Sequence, residues 1–164
     1  MTASTVIPFA LTGTGQGVQQ DITINGSPLT FVAEGHRAFG GTDSAPSPLD
    51  YVLGALISCT QVTSQIIASQ DRAIKLGKWE IGLKAHLDNA VLVHGAKGIS
   101  NFRDVNLTIA IETNLTGGDF QEFADEVERR CPLTQLFRGS GVEFSSHWTA
   151  KSLSATTKAE QPPA

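Results

Sequence analysis

The feature that most constrains this chain is the stretch after Pro46, in which Leu49, Val52, Leu56, Cys59, Thr63 and Ile66 recur at spacings of 3, 4, 3, 4 and 3. That is the period of an α-helix with one apolar stripe. It predicts a helix over about 48–70, with Cys59 on the face that meets the core or a partner and its sulfur mostly hidden from water. Ser47 supplies an N-cap, and Pro48 takes the first helical position, where a missing N–H leaves nothing unsatisfied. Tyr51 to Ile57 is continuously apolar, but Cys59, Thr60, Gln61, Thr63, Ser64 and Gln65 interrupt the run well short of the roughly 20 apolar residues a bilayer crossing needs. The segment reads as a buried core helix.

The second of two cysteines stands in Arg129-Arg130-Cys131-Pro132-Leu133. Pro132 cannot continue a helix arriving from 120–130 but can open a short one over 132–138, which puts Cys131 at or beside its N-cap. Backbone N–H groups there, with Arg129 and Arg130 close by, favour negative charge on sulfur. Cys59 lies inside its helix, where the first-turn dipole hardly reaches and burial raises the pKa. Two thiols 72 positions apart suggest a redox pair assembled by folding. For each, an inert buried thiol acting as a small hydrophobe is the alternative.

The other elements follow from periodicity. Val6 to about Val32 is strand-like, with Asn25-Gly26 marking a two-residue hairpin turn, so an N-terminal hairpin or three-strand ribbon is expected. Residues 34–48 hold too many Gly, Pro and Ser for regular structure and form a long loop. Trp79 to Leu87 and Val105 to Ile111 alternate as half-buried strands, Phe120, Phe123 and Val127 mark an amphipathic helix, and Val142 to Trp148 give a last strand. Together these are an α+β chain of one domain over 1–150, with a flexible tail over 151–164.

Composition removes several function classes. A net charge of −4 with scattered basic residues leaves no footprint for nucleic acid or an anionic membrane. The start Met1-Thr2-Ala3-Ser4-Thr5 carries no secretory signal, which makes the cytoplasm the expected compartment and any disulfide transient. His36, His86, His94 and His147 show no paired ligand spacing, so neither a metal nor another cofactor is expected. Gly13-Thr14-Gly15-Gln16-Gly17 lacks the Lys-Ser/Thr of a phosphate loop and reads as a turn. No Gly-x-Ser-x-Gly elbow is present.

The run Gly40-Gly41-Thr42-Asp43-Ser44-Ala45-Pro46-Ser47-Pro48-Leu49-Asp50, leading through Gly54-Ala55-Leu56 to Cys59-Thr60, then Cys131-Pro132-Leu133, resembles the OsmC/Ohr family of hydroperoxide reductases and their redox-protein relatives. The order of elements fits over roughly residues 6–150. The resemblance implies antiparallel sheets around a long central helix, two chains intertwined as a homodimer, and a site at their interface. It further implies that Cys59 is the peroxidatic residue, oxidised by an organic hydroperoxide to a sulfenic acid that Cys131 closes into a Cys59–Cys131 disulfide, which a dithiol or lipoylated protein then reduces. The apolar stripe around Cys59 suits alkyl over hydrogen peroxide.

The hydroperoxide-reductase branch has a Glu ten positions before the first cysteine and an Arg in an N-terminal Gly-Arg-x-Gly turn; this chain has Leu49 and, near the second position, Gln16. That places it closer to the less characterised redox-protein branch. Asp50 is a candidate substitute for the carboxylate. Nine residues of helix turn through about 900°, which would set Asp50 opposite Cys59, so capping, pairing across the dimer or plain solvation are its other readings. Arg37, His36 and Arg130 are the candidates for the missing positive charge. A dimer that senses redox state or binds a small apolar ligand without catalysis is the alternative function.

Overall fold

The computed structural model describes residues 5–154. The chain folds as two compact units, Met1–Val52 and Leu53–Ala164, and the class is α+β as expected.

The first unit is a three-stranded antiparallel sheet, β1 (Leu11–Gln16), β2 (Gln19–Ile24) and β3 (Thr30–Glu34), in that order. The ribbon is the one anticipated, but its tight turn is not. Gln16 pairs with Gln19, so the two-residue turn is Gly17-Val18, with Gly17 at φ 64°. Gly13 and Gly15 lie within β1 and are not turn residues. Asn25-Gly26 instead forms part of a longer connection in which the Ile24 N–H bonds the Leu29 carbonyl at 3.1 Å. Pro28 explains the difference: without an N–H it cannot extend the ladder, so pairing resumes beyond it, with Thr23 opposite Thr30.

The segment after β3 carries little regular structure, only a 3-10 turn at Arg37–Phe39, yet it is densely bonded. Two glycines are demanded by geometry. Gly40 has φ 92°, and a Cβ on Gly41 would lie 1.6 Å from the Gly35 carbonyl oxygen. The segment delivers the chain to Ser47, which starts α1 (Pro48–Gln70). The Asp50 N–H bonds Ser47 Oγ at 3.1 Å and the Ser47 N–H bonds Asp50 Oδ2 at 2.9 Å, a reciprocal capping box with aspartate in the glutamate position. Tyr51 is tied to β3 by a 2.7 Å bond from its hydroxyl to the Val32 carbonyl and by a tilted contact with Phe31.

The second unit holds the rest of α1, then β4 (Leu76–Leu87), α2 (Asn89–Leu92), β5 (Phe102–Thr113), α3 (Gly117–Arg130), α4 (Pro132–Gly139) and β6 (Glu143–Lys151). The strand order is β4-β5-β6, with β5 antiparallel to β4 and parallel to β6. A parallel pair needs a crossover, and α3 with α4 is that crossover. Val105, Leu107, Ile109 and Ile111 on the central strand are all buried, as their alternation requires. The four-residue α2, capped by Asp88, is too short to show a period in sequence. β6 runs to Lys151, which pairs with Glu80, and the Ser154 hydroxyl donates to Glu112 at 3.0 Å; the remainder of the expected tail lies outside the described residues.

The burial of α1 departs from the expected stripe. The buried line passes through Leu56, Thr60, Thr63, Ser64 and Ile67, while Ile66 is 47% exposed and Cys59 only half-buried. Thr60 and Ser64 tolerate burial because their hydroxyls donate to the carbonyls one turn back, Leu56 and Thr60, each at 2.8 Å. Nor is α1 fully a core helix: it is long and apolar enough to cross a membrane by length and composition, and only 28% of that apolar window is buried.

Ile67 packs with Phe123 and Val127 of α3 in a cluster bordered by Ile74, Leu76, Leu115 and Trp148. Ile67→Ala is expected to lower unfolding free energy by about 2–4 kcal/mol in chemical denaturation. A loss under about 1 kcal/mol would mean that this cluster does not anchor α1.

Candidate functional site

Both candidate cysteines belong to the second unit, and folding makes them neighbours that act on each other's thiol, with both thiols free. Cys131 occupies the corner between α3 and α4. Its N–H closes the last turn of α3 on the Val127 carbonyl at 2.8 Å, and its carbonyl accepts the Gln135 N–H of α4 at 3.1 Å. Its backbone is extended, φ −70° and ψ 112°, the conformation a following proline imposes. The side chain makes no capping bond of the oxygen type. The groups that act on its thiol are the Thr134 hydroxyl, the Thr134 and Leu133 main-chain N–H groups, and Cys59.

Cys131 and Thr134 are buried, at 0% and 2% exposure. Burial pushes the Cys131 thiol up, but the Thr134 hydroxyl and the other donors outweigh it, and the net direction is down. Cys59 moves the opposite way. Burial raises it most, and the neighbouring Cys131 raises it further, against lowering contributions from the Leu133 N–H and the Thr63 hydroxyl. None of these groups is a cation.

The basic residues proposed from sequence are engaged elsewhere. Arg129 forms a two-pronged pair with Glu126, at 2.7 and 2.8 Å, and Arg130 donates to Gln70 Oε1 at 2.9 Å. In the first unit, Arg37 pairs with Asp43 at 2.8 Å, and His36 Nδ1 accepts the Ala38 N–H at 3.2 Å. Asp50, also in that unit, is taken up by Ser47, whose hydroxyl donates to it at 2.6 Å and whose bonds hold its carboxyl below the usual range.

Two residues with evident roles were not singled out from sequence. Thr134 is one; a threonine at the third position of a helix whose N-cap is cysteine is the signal that could have found it. Glu128 is the other. Its side chain, 12% exposed, accepts Trp148 Nε1 at 2.7 Å and also bonds Ser146 and Arg138, so it fastens α3 to both β6 and α4 one turn before Cys131. Among the described residues no cluster of His, Cys, Asp or Glu could hold a metal ion.

The loop of the first unit has its own electrostatic centre. Glu34, 5% exposed, accepts the Thr42 hydroxyl and the Ser44 N–H, both at 2.8 Å. The Ser44 N–H, followed by Thr42, holds its pKa at about 2, against the usual 4.5.

The family model for OsmC-like proteins matches residues 41–147. Among solved structures, the chain is similar to an OsmC-like protein from Mycoplasma pneumoniae, with TM-score 0.72 and 18% identity over 88% of this chain and 97% of that one. An organic hydroperoxide resistance protein from Elizabethkingia anophelis gives TM-score 0.70 and 18% identity over 90% and 99%. The organic hydroperoxide resistance protein OhrB of Bacillus subtilis gives 0.58 and 17% over 87% and 98%. At such identities the likeness establishes the fold. No curated protein matches the sequence.

A folded-state pKa below the unfolded one contributes stability above pH 4.5 that is lost as pH falls toward 2. The denaturation midpoint of Glu34→Gln should therefore lie below that of wild type at neutral pH, with the gap closing across that interval. A gap that does not vary with pH would mean that the charge does not hold the loop.

Proposed function

The chain belongs to the OsmC-like protein family, and on that premise we propose that it is a thiol-dependent peroxidase that reduces organic hydroperoxides to alcohols. The observation that carries the reading is that folding makes Cys59 and Cys131 close enough to act on each other's thiol, with the first half-open to solvent and the second sealed. A peroxidase of this kind needs one sulfur the substrate reaches and a second held beside it to close the disulfide. Cys59 attacks the hydroperoxide, an alcohol leaves, and Cys131 condenses with the resulting sulfenic acid. A dithiol, free or carried on a lipoylated protein, restores both thiols, with no bound cofactor. The organic hydroperoxide resistance proteins among its structural neighbours support a peroxide-linked role. A cytoplasmic setting suits a disulfide that must be reduced on every cycle.

The active unit is a homodimer in this reading. The part of α1 left open carries Val62 and Ile66, 53% and 47% exposed, beside Ser58, Gln61, Gln65 and Ser69. A polar stripe of that kind is costly in a bilayer but suits a second copy of the same helix, where the side chains find partners across the interface. Sedimentation should return twice the mass of one 17.4 kDa chain, and Val62→Glu should release monomers; a wild-type monomer at micromolar concentration removes the dimer.

Peroxidase activity is tested by following cumene hydroperoxide consumption with dihydrolipoamide or dithiothreitol as reductant. Turnover should exceed that of the free dithiol and vanish in Cys59→Ser. Turnover no faster than the free dithiol would instead leave a redox sensor or a binder of small apolar ligands on the same fold.

A further inference from the structure

The peroxidase reading requires Cys131 to meet the oxidised Cys59 in a narrow geometry, with the two Cβ atoms about 3.5–4.5 Å apart. Cys131 stands at a corner, its backbone bonded to the Val127 carbonyl behind it and the Gln135 N–H ahead. α4 has 8 residues, too few to hold itself as a helix, so the corner is only as firm as the attachment of α4. That attachment converges on Glu128. The Glu128 carbonyl accepts Gln135 Nε2 at 2.8 Å, and its carboxylate accepts Arg138 from the last turn of α4. Toward β6, Glu128 Oε1 accepts Trp148 Nε1 at 2.7 Å and the Ser146 hydroxyl, while the Arg138 guanidinium lies over the Phe144 ring, 5.4 Å from its centroid. The neighbouring Val127 is fully buried and packs with Ile67 of α1 in the cluster that Trp148 borders. Val127 and Glu128 are therefore the common reference for the helix that carries Cys59 and the corner that carries Cys131.

We propose that Glu128 is a positioning residue for disulfide closure, locking α4 to α3 and β6 so that Cys131 is in place before Cys59 is oxidised. This rests on the peroxidase reading and names what governs its second step. In that step Cys131 attacks the Cys59 sulfenic acid. The S–S bond forms, the S–O bond breaks, and the hydroxyl leaves with the Cys131 proton as water. Until closure, a second hydroperoxide can carry Cys59 on to the sulfinic acid, which a dithiol does not reduce. The rate of closure thus decides whether the site survives excess substrate. For a carboxylate whose side chain is only 12% exposed, desolvation offsets much of what pairing contributes to stability, whereas the directions its bonds impose remain. Placement of the corner is what those directions supply.

The test separates the two chemical steps in single turnovers of the full chain with cumene hydroperoxide. Trapping of the Cys59 sulfenic acid reports the first step, and appearance of the disulfide by mass reports the second. Glu128→Gln keeps an acceptor for Trp148 and Ser146 but turns an amide donor toward Arg138. Its first step should keep the wild-type rate and its closure should be about 10-fold slower, below the roughly 100-fold that a 1 Å misplacement can cost. Under excess hydroperoxide, Cys59 sulfinic acid should accumulate in this variant before it does in wild type. Arg138→Met, at a side chain 44% exposed, cuts the same link from α4 while keeping an apolar stem over Phe144. It should slow closure by the same factor, and the double variant by no more, because both changes remove one link. Closure at the wild-type rate in both single variants overturns the proposal while leaving the peroxidase intact. So does a loss that falls equally on both steps, or one that multiplies in the double variant. A wild type that forms no sulfenic acid from the hydroperoxide overturns the peroxidase reading and this proposal with it.

Discussion

The site depends on one missing hydrogen. Proline at 132 has no N–H to donate, so α3 cannot run on into α4, and the residue before it is driven into an extended conformation. That residue is Cys131, which ends one helix and begins the next. It thereby stands at the N-terminal end of α4, the place where a helix carries its partial positive charge. Had the chain continued helically, the cysteine would be one more apolar residue on α3. The corner is fixed in turn by Glu128, bonded to Trp148, Ser146 and Arg138, so the position of the thiol is tied to β6 as well as to both helices.

A related constraint governs α1. A helix that packs on α3 and also keeps a half-buried cysteine beside that contact does not bury a simple apolar stripe. Thr60 and Ser64 lie on the buried line and Cys59 at its edge. Small hydroxyl residues fit there because each satisfies its own donor on the carbonyl one turn back, so burial leaves no orphan. Larger apolar side chains at 60 and 64 would hold α1 farther from its neighbours. The approach of Cys59 to Cys131 is thus prepared by the size of residues on the buried line of α1.

Most of the fold was legible because it rests on periodicities that tertiary context reinforces. The α1 boundaries, the alternation of β4 and β5 and the helix break at Cys131-Pro132 all follow from side-chain spacing and from what proline cannot do. The misplaced hairpin turn shows the limit. Asn25-Gly26 is the stronger local signal, yet Pro28 blocked the ladder behind it, and Gly17-Val18 turned the chain instead. The stripe on α1 was displaced for a related reason, since a hydropathy pattern treats threonine and serine as surface residues and cannot know that a helix carbonyl will satisfy them. In the site the two cysteines were legible by their scarcity and settings. Their partners were not. Charged residues drew attention to Arg37, Arg129 and Arg130, each engaged by a carboxylate or amide, while the side chain that most lowers the Cys131 thiol is a neutral threonine.

That contrast bears on how a thiol is pushed down here. An arginine beside a sulfur acts through a long-range charge that must itself be desolvated and held, and salt weakens it when the site is open. Hydroxyl and amide donors act only at contact, carry no net charge to desolvate, and are held by the helix that creates them. In a buried position, where the effective dielectric is low, such dipoles are worth more than at the surface. Their weakness is that they favour charge at one point only. The groups that lower Cys131 act at that corner, while burial dominates at Cys59, and so the two neighbouring thiols are driven in opposite directions.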